Sequence, residues 1–318
     1  MSTSEWEDDS SLLALLLDVS PAALARLAST PGLGLQSLLE QLLTFVNAFL
    51  LLNDANRLAV FTADAAGARL AYCSPACLPP GAAGAGDAAE ATAWPPSVAV
   101  LAGLQQAATA AAGAGAGAPA ATGGSCQLSA ALSRALCFIQ SQRRRAAAAA
   151  AGPGGGAAGG GDGATAGGAV DEMGGQGSQA ARVLCLSGGT DVPSQYIAVM
   201  NAIFSAQRSG ILIDACQLGP GHSAFLQQAA FLTGGVYLKP AKPQALAQYL
   251  NSVFALDART RGMLRLPGAA HVDFRPSCFC HKRQIDLGFV CSACLSIFCE
   301  QLPACTTCGT DFQGKVKQ

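Results

Sequence analysis

The stretch Ser11-Leu12-Leu13-Ala14-Leu15-Leu16-Leu17-Asp18-Val19 is an apolar run that lasts until Asp18. A strand with one wet face alternates apolar and polar residues. A run without alternation is buried on both faces, as a central strand of a parallel sheet is. Leu12 to Leu17 is also far too short to cross a bilayer, which takes about 20 apolar residues. Working outward, Leu35, Leu38, Leu39, Leu42, Leu43, Val46, Phe49 and Leu50 recur at three-and-four spacing and predict a core-facing helix. Residues 57–63 and 68–73 predict two more strands, and residues 182–187, 211–216 and 236–238 three further ones. Helices are predicted over 195–207, 224–232 and 243–254, following those last three strands in turn. Strand and helix in this alternation imply an α/β fold, a doubly wound, mostly parallel sheet over residues 10–257.

Three segments break the pattern. Residues 79–95, 113–124 and 146–179 are almost wholly Ala, Gly and Pro. They carry too little apolar area to offset the entropy of ordering them, so they are expected to be disordered insertions in loops. Helices are expected between them at about 98–112 and 130–142. Gly32-Leu33-Gly34 sits too far from the first strand's end to be a dinucleotide loop. The net charge of −1 supplies no global field for nucleic acid or membrane. The acidic start, with Glu5, Glu7, Asp8 and Asp9, does not read as a signal peptide. Clustered cysteines are then expected to be reduced and metal-bound rather than paired.

Seven of the thirteen cysteines lie between Cys278 and Cys308. Cys291-x-x-Cys294 and Cys305-x-x-Cys308 are two knuckles ten residues apart. Each is a tight turn that aims two sulfurs at one point, and together they fill a tetrahedral zinc site with no position left for water. Such a site is structural. A small C-terminal zinc module over residues 273–313 follows, after a linker near 264–271. Cys278, Cys280, His281 and Cys299 remain. They complete a second zinc if the four groups alternate, first with third and second with fourth; the alternative is that they are reduced core cysteines.

These residues carry a resemblance. Leu17-Asp18-Val19-Ser20-Pro21 looks like the opening motif of a von Willebrand A domain. Ile213-Asp214-Ala215-Cys216, Thr233-Gly234-Gly235-Val236-Tyr237-Leu238-Lys239, Cys278-Phe279-Cys280-His281 and the run from Gly288 to Cys299 resemble the family of smaller von Willebrand A subunits of the general transcription and repair factor TFIIH. The resemblance implies a non-enzymatic, nuclear core subunit serving transcription by RNA polymerase II and nucleotide excision repair. It implies that the sheet domain docks the larger, RING-bearing von Willebrand A subunit alongside other core subunits. No membrane, no small-molecule substrate and no sequence-specific nucleic-acid contact are expected.

A von Willebrand A metal site needs Asp-x-Ser-x-Ser on the first loop and a Thr and an Asp from two others, an oxygen set suited to Mg²⁺. Asp18 and Ser20 are present, but Ala22 replaces the second Ser. Gly124-Ser125-Cys126-Gln127 offers no Thr in register, and Asp191 follows its strand late. Asp18 and Ser20 are therefore expected to satisfy backbone groups in the turn. The rival reading is a Mg²⁺-dependent enzyme or ligand-binding domain using Asp18, Ser20 and Asp191. His222, His271 and His281 are the only histidines, and none accompanies a recognisable nucleophile. Cys137, Cys185 and Cys216 sit in apolar runs and are expected to be buried. Arg143-Arg144-Arg145 is expected to end a helix, where cations suit the macrodipole; the alternative is that the three arginines touch phosphate, which the near-zero net charge disfavours.

Overall fold

The computed structural model describes residues 11–30, 34–78, 95–114, 126–150, 180–267, 272, 274–275, 278–281, 285–294 and 296–312. The elements in chain order are β1 (Ser11–Asp18), α1 (Pro21–Ala28), α2 (Leu35–Leu52), β2 (Arg57–Ala63), β3 (Ala68–Cys73), α3 (Pro96–Ala114) and α4 (Leu128–Ala150). They continue with β4 (Ala180–Ser187), α5 (Tyr196–Arg208), β5 (Leu212–Gln217), α6 (Ala224–Thr233), β6 (Tyr237–Leu238), α7 (Leu246–Tyr249), α8 (Ala258–Met263), β7 (Phe289–Val290) and β8 (Ile297–Phe298).

Six strands form one sheet in the order β3-β2-β1-β4-β5-β6. All pairs are parallel except β2 with β3, which closes one edge antiparallel. This is the mostly parallel, doubly wound sheet that the alternation of strand and helix predicted. Every residue of β1 is buried, because its side chains alternate between two cores. Leu12, Ala14 and Leu16 join Phe61, Val183 and Ile213 under α4, α5 and α6. Leu13, Leu15 and Leu17 join Leu58, Val60 and Leu184 under α2, whose Phe45, Val46 and Phe49 complete that side. Helix α2 is apolar and long enough to cross a membrane by composition alone, yet these three residues are spent on the sheet.

Helix α3 lies close on the edge strand. A Cβ built on Gly103 would stand 2.0 Å from the carbonyl oxygen of Ala71 on β3. Only a residue without a side chain lets the helix backbone come that near.

Several expectations change. Helix α1 was not anticipated; eight residues are too short to show periodicity, though Ser20 as N-cap and Pro21 at the first helical position are a start signal. The helix expected over 243–254 is a 3₁₀ turn (Pro243–Ala245), then α7, then a π turn (Leu250–Phe254). Helices α3 and α4 run on into the expected insertions, to Ala114 and Ala150. A helical run of alanines needs no packing partner to be a good helix former. Arg143–Arg145 therefore lies inside a helix, not at its end. Residues 79–94, 115–125 and 151–179, together with Gly32, Leu33 and residues 268–271, lie outside the described residues. Cys185 and Cys216 are buried as expected, but Cys137 faces out from α4; a cysteine in an apolar helix is placed by its angle around the axis, which the run alone does not set.

Candidate functional site

The cysteine-rich end is built on two turns. Strands β7 and β8 pair antiparallel, Phe289 with Phe298 and Val290 with Ile297, and present Cys291-x-x-Cys294 in the loop between them. A bridge between Ala304 and Asp311 clamps the second knuckle. There the Cys305 carbonyl accepts from Gly309 N at 2.9 Å, and Gly309 takes φ 75°, a left-handed conformation that favours glycine. The backbone N–H groups of Thr307 and Cys308 point at the Cys305 sulfur, each at 3.4 Å.

The ligand atoms of Cys291, Cys294, Cys305 and Cys308 all lie within 4.8 Å of one another. Cys291 Sγ is 3.7 Å from Cys308 Sγ, and Cys294 Sγ is 3.5 Å from Cys305 Sγ. The edge of a tetrahedron with Zn–S bonds of about 2.3 Å is about 3.8 Å, so the sulfurs are spaced for such an ion. The Thr310 hydroxyl, hydrogen-bonded to Cys308, holds that thiol down to about 6, near the thiolate a metal requires. Cys278, Cys280, His281 and Cys299 form a second group with the same spread. Cys299 Sγ is 3.4 Å from Cys280 Sγ and 3.1 Å from His281 Nδ1. Phe279 N donates to Ile297 O at 2.8 Å and ties this segment to β8. Along the chain the two groups interleave, first with third and second with fourth. Both can hold a metal ion. Each offers four soft or borderline ligands and thus closes a tetrahedron without an open position, a structural arrangement rather than a catalytic one.

The carboxylates above the sheet are occupied differently. Asp18 leaves β1 and accepts four hydrogen bonds: from Ser20 Oγ at 2.6 Å, Ser20 N at 3.1 Å, Ser187 Oγ at 3.1 Å and Gly189 N at 3.0 Å. Ser20 Oγ in turn caps α1 by accepting from Ala23 N at 3.4 Å. Asp191 sits at the start of α6, where it accepts from the Ser223 hydroxyl and from Phe225 N. Burial pushes its carboxyl up, and the Ser223 hydroxyl with the N–H groups of Phe225 and Ala224 pulls it down. Asp18 and Asp191 do line one crevice, together with Cys126, but its volume is about 30 Å³. That is room for a water or two and not for a substrate. Ala22 contributes no oxygen, and His222 meets the Tyr237 hydroxyl at 3.1 Å.

Asp18→Ala should therefore act on stability. It strips the acceptor from two backbone N–H groups and two hydroxyls, which costs about 2–4 kcal/mol. Urea melts with and without Mg²⁺ are the check. A loss below about 1 kcal/mol, or a wild-type melt that Mg²⁺ raises and the variant's does not, would contradict this reading.

One constellation gave no functional signal in the sequence. Asp214, fully buried in β5, holds Arg261 of α8 with both carboxylate oxygens, at 2.8 and 2.6 Å. It also accepts from Val236 N at 2.9 Å. Arg182 on β4 stands 4.0 Å from the same carboxylate. Its guanidinium donates to the carbonyls of Leu256 and Ala255 and lies 5.7 Å from the centre of the Phe49 ring. Burial, reinforced by Arg261, lowers the Arg182 guanidinium to about 10. The available signal was charge inside apolar strands; partners 32 and 47 residues away from Asp214 were beyond any local pattern.

The family model described as transcription factor Tfb4 matches residues 10–309. The general transcription and DNA repair factor IIH subunit TFB4 of Arabidopsis thaliana is 37% identical over 314 residues, covering 98% of this chain and 92% of that protein. General transcription factor IIH subunit 3 of Dictyostelium discoideum is 53% identical over 135 residues, 42% of this chain and 36% of that one. Among solved structures, the N-terminal domain of TFIIH p34 is similar at a TM-score of 0.56 and 27% identity, over 76% of this chain and 97% of the other.

Proposed function

The chain belongs to the transcription factor Tfb4 family, and from that premise we propose that it is a non-catalytic core subunit of the general transcription and DNA repair factor TFIIH. One observation carries the reading: the family match takes in the sheet and the cysteine-rich end as one piece. Both parts then belong to the function, and among the described residues neither offers a free catalytic set. Asp18 and Asp191 are engaged in holding loops, which argues against a Mg²⁺-dependent enzyme. The protein acts in the nucleus, scaffolding transcription by RNA polymerase II and nucleotide excision repair.

In this reading residues 10–257 are the docking domain, and residues 273–313 are a module held by two zinc ions. Cys291, Cys294, Cys305 and Cys308 bind one; Cys278, Cys280, His281 and Cys299 bind the other. Zinc suits these ligand sets because thiolate and imidazole select it over hard cations. The partner is the RING-bearing von Willebrand A subunit of the same complex, and the contact is mainly apolar.

Co-expression tests it. The full chain and that subunit should elute as one species on a sizing column at 1 M salt, where the Debye length is about 3 Å and surface ion pairs are screened. Apolar burial survives such salt. Separate elution of two soluble, folded proteins would overturn the proposal.

A further inference from the structure

Arg143, Arg144 and Arg145 sit within α4, which continues through Ala150, so they do not serve as its C-terminal caps. The neighbouring elements add to them. Arg143 Nη1 donates to Ser209 O at 2.6 Å, next to Arg208 at the end of α5. Arg145 Nη1 donates to Cys77 O at 3.1 Å. Arg57, the first residue of β2, stands near as well, because Ser74 N donates to Leu58 O at 2.8 Å and Cys77 N donates to Ser74 O at 2.8 Å. Arg144, Arg145 and Arg208 are exposed, and Arg57 and Arg143 half-buried.

Among the described residues, none of these five arginines has a carboxylate within ion-pair distance. The hydrogen bonds of Arg143 and Arg145 go to carbonyls, which fix the guanidinium groups without neutralising them. Among the described residues, a chain with a net charge of −1 thus gathers five arginines without an ion-pair partner at the pole where β2 begins. Phe204 is the one exposed aromatic side chain on α4 and α5, too little for a platform on which single-stranded bases stack. Ala146 to Ala149 beyond the arginines are exposed, and their small side chains leave room for a backbone to come close.

We propose that this arginine surface contacts the phosphate backbone of double-stranded DNA without reading its bases. The choice of DNA among polyanions rests on the proposed role in a DNA repair factor; the surface itself does not. Guanidinium groups match phosphate geometry, and phosphate contacts set affinity and position but carry no sequence information. Counterion release makes such binding steeply salt-dependent.

The test is fluorescence anisotropy of a labelled 20-base-pair duplex with the full, metal-loaded chain. The full chain is used so that whatever Glu5, Glu7, Asp8 and Asp9 offset is included. Binding is expected at 50 mM salt and should weaken roughly 20- to 140-fold by 150 mM, the slope for three to five phosphates. The double variant Arg144→Gln/Arg208→Gln removes two exposed arginines that no hydrogen bond or ion pair ties down among the described residues. It should keep the melting temperature, bind about tenfold more weakly at 50 mM and lose about two from the salt slope. Two unrelated duplex sequences should bind alike. No anisotropy change at 50 mM, or a double variant that binds like the parent, would overturn the proposal. So would a labelled polyglutamate peptide that binds more tightly than the duplex, which would make the surface a contact for an acidic protein. Co-elution with the RING-bearing subunit is measured separately and is unaffected by any of these outcomes.

Discussion

Replacing Asp214 with alanine is expected to cost about 3–5 kcal/mol, the penalty for leaving a buried charge without its partner. That is a large part of the roughly 5–15 kcal/mol that holds a typical domain folded. The reason lies in the arithmetic of the site. One carboxylate faces two buried arginines, Arg261 at 2.6 Å and Arg182 at 4.0 Å. Removing it leaves two like charges in an apolar surround, beneath the Phe49 ring and beside the backbone that leads out of the sheet domain. Val236 N loses its acceptor as well. The measurement is a urea melt of the full chain followed by near-UV circular dichroism. The double variant Asp214→Leu/Arg261→Met supplies the control, because it leaves only Arg182 without its counter-charge where Asp214→Ala leaves both arginines so. It should be more stable than Asp214→Ala alone. A double variant that is worse by the full cost of both changes would show that the pair is not a unit, and the account of α8 as an anchored helix would fall.

Stripping the metal is expected to unfold the cysteine-rich end while the sheet stays folded. The apolar core there consists of buried Cys291, Phe298 and Cys305 with Phe279, Cys280 and Leu302 partly buried against them. A segment of about 40 residues with so little core does not fold by burial alone, and structural zinc supplies about 10–16 kcal/mol of apparent binding energy in small domains of this kind. Metal analysis of the full chain should find two zinc ions. Cys294→Ser should release one of them and destroy the packing of β7 against β8, with the melt of the sheet unchanged. Cys299→Ser should release the other. A single ion that survives Cys299→Ser would reduce the second group to cysteines without metal. A folded module at zero zinc would defeat the whole assignment. The two groups interleave, and Phe279 N is bonded to Ile297 O between them, so loss of either ion should loosen the other; zinc affinity in the remaining site would report that coupling.

Much of this protein was determined by local chemistry. The unalternating run from Leu12 to Leu17 can satisfy its side chains only between two layers, so it had to be central, and it is the middle of the sheet. The bounds of β2 and β3 are visible in the sequence because polar or turn residues flank both strands. The cysteine spacing dictates two knuckles, since a two-residue gap is what brings sulfurs to one point. Three things were left to the tertiary structure. That Asp18 would bond within its own turn was legible from the missing second Ser, but its bonds to Ser187 and Gly189, about 170 residues away, come only from the tertiary structure. The status of Asp214 depended on Arg182 and Arg261, each silent until the strands and α8 meet. The arginines at 143–145 changed meaning because α4 continues through Ala150 and because Ser209 and Cys77 lie beside it. In each case the residue type is local information, but the charge or donor that faces it comes from a distant part of the chain, and burial decides which of the two prevails.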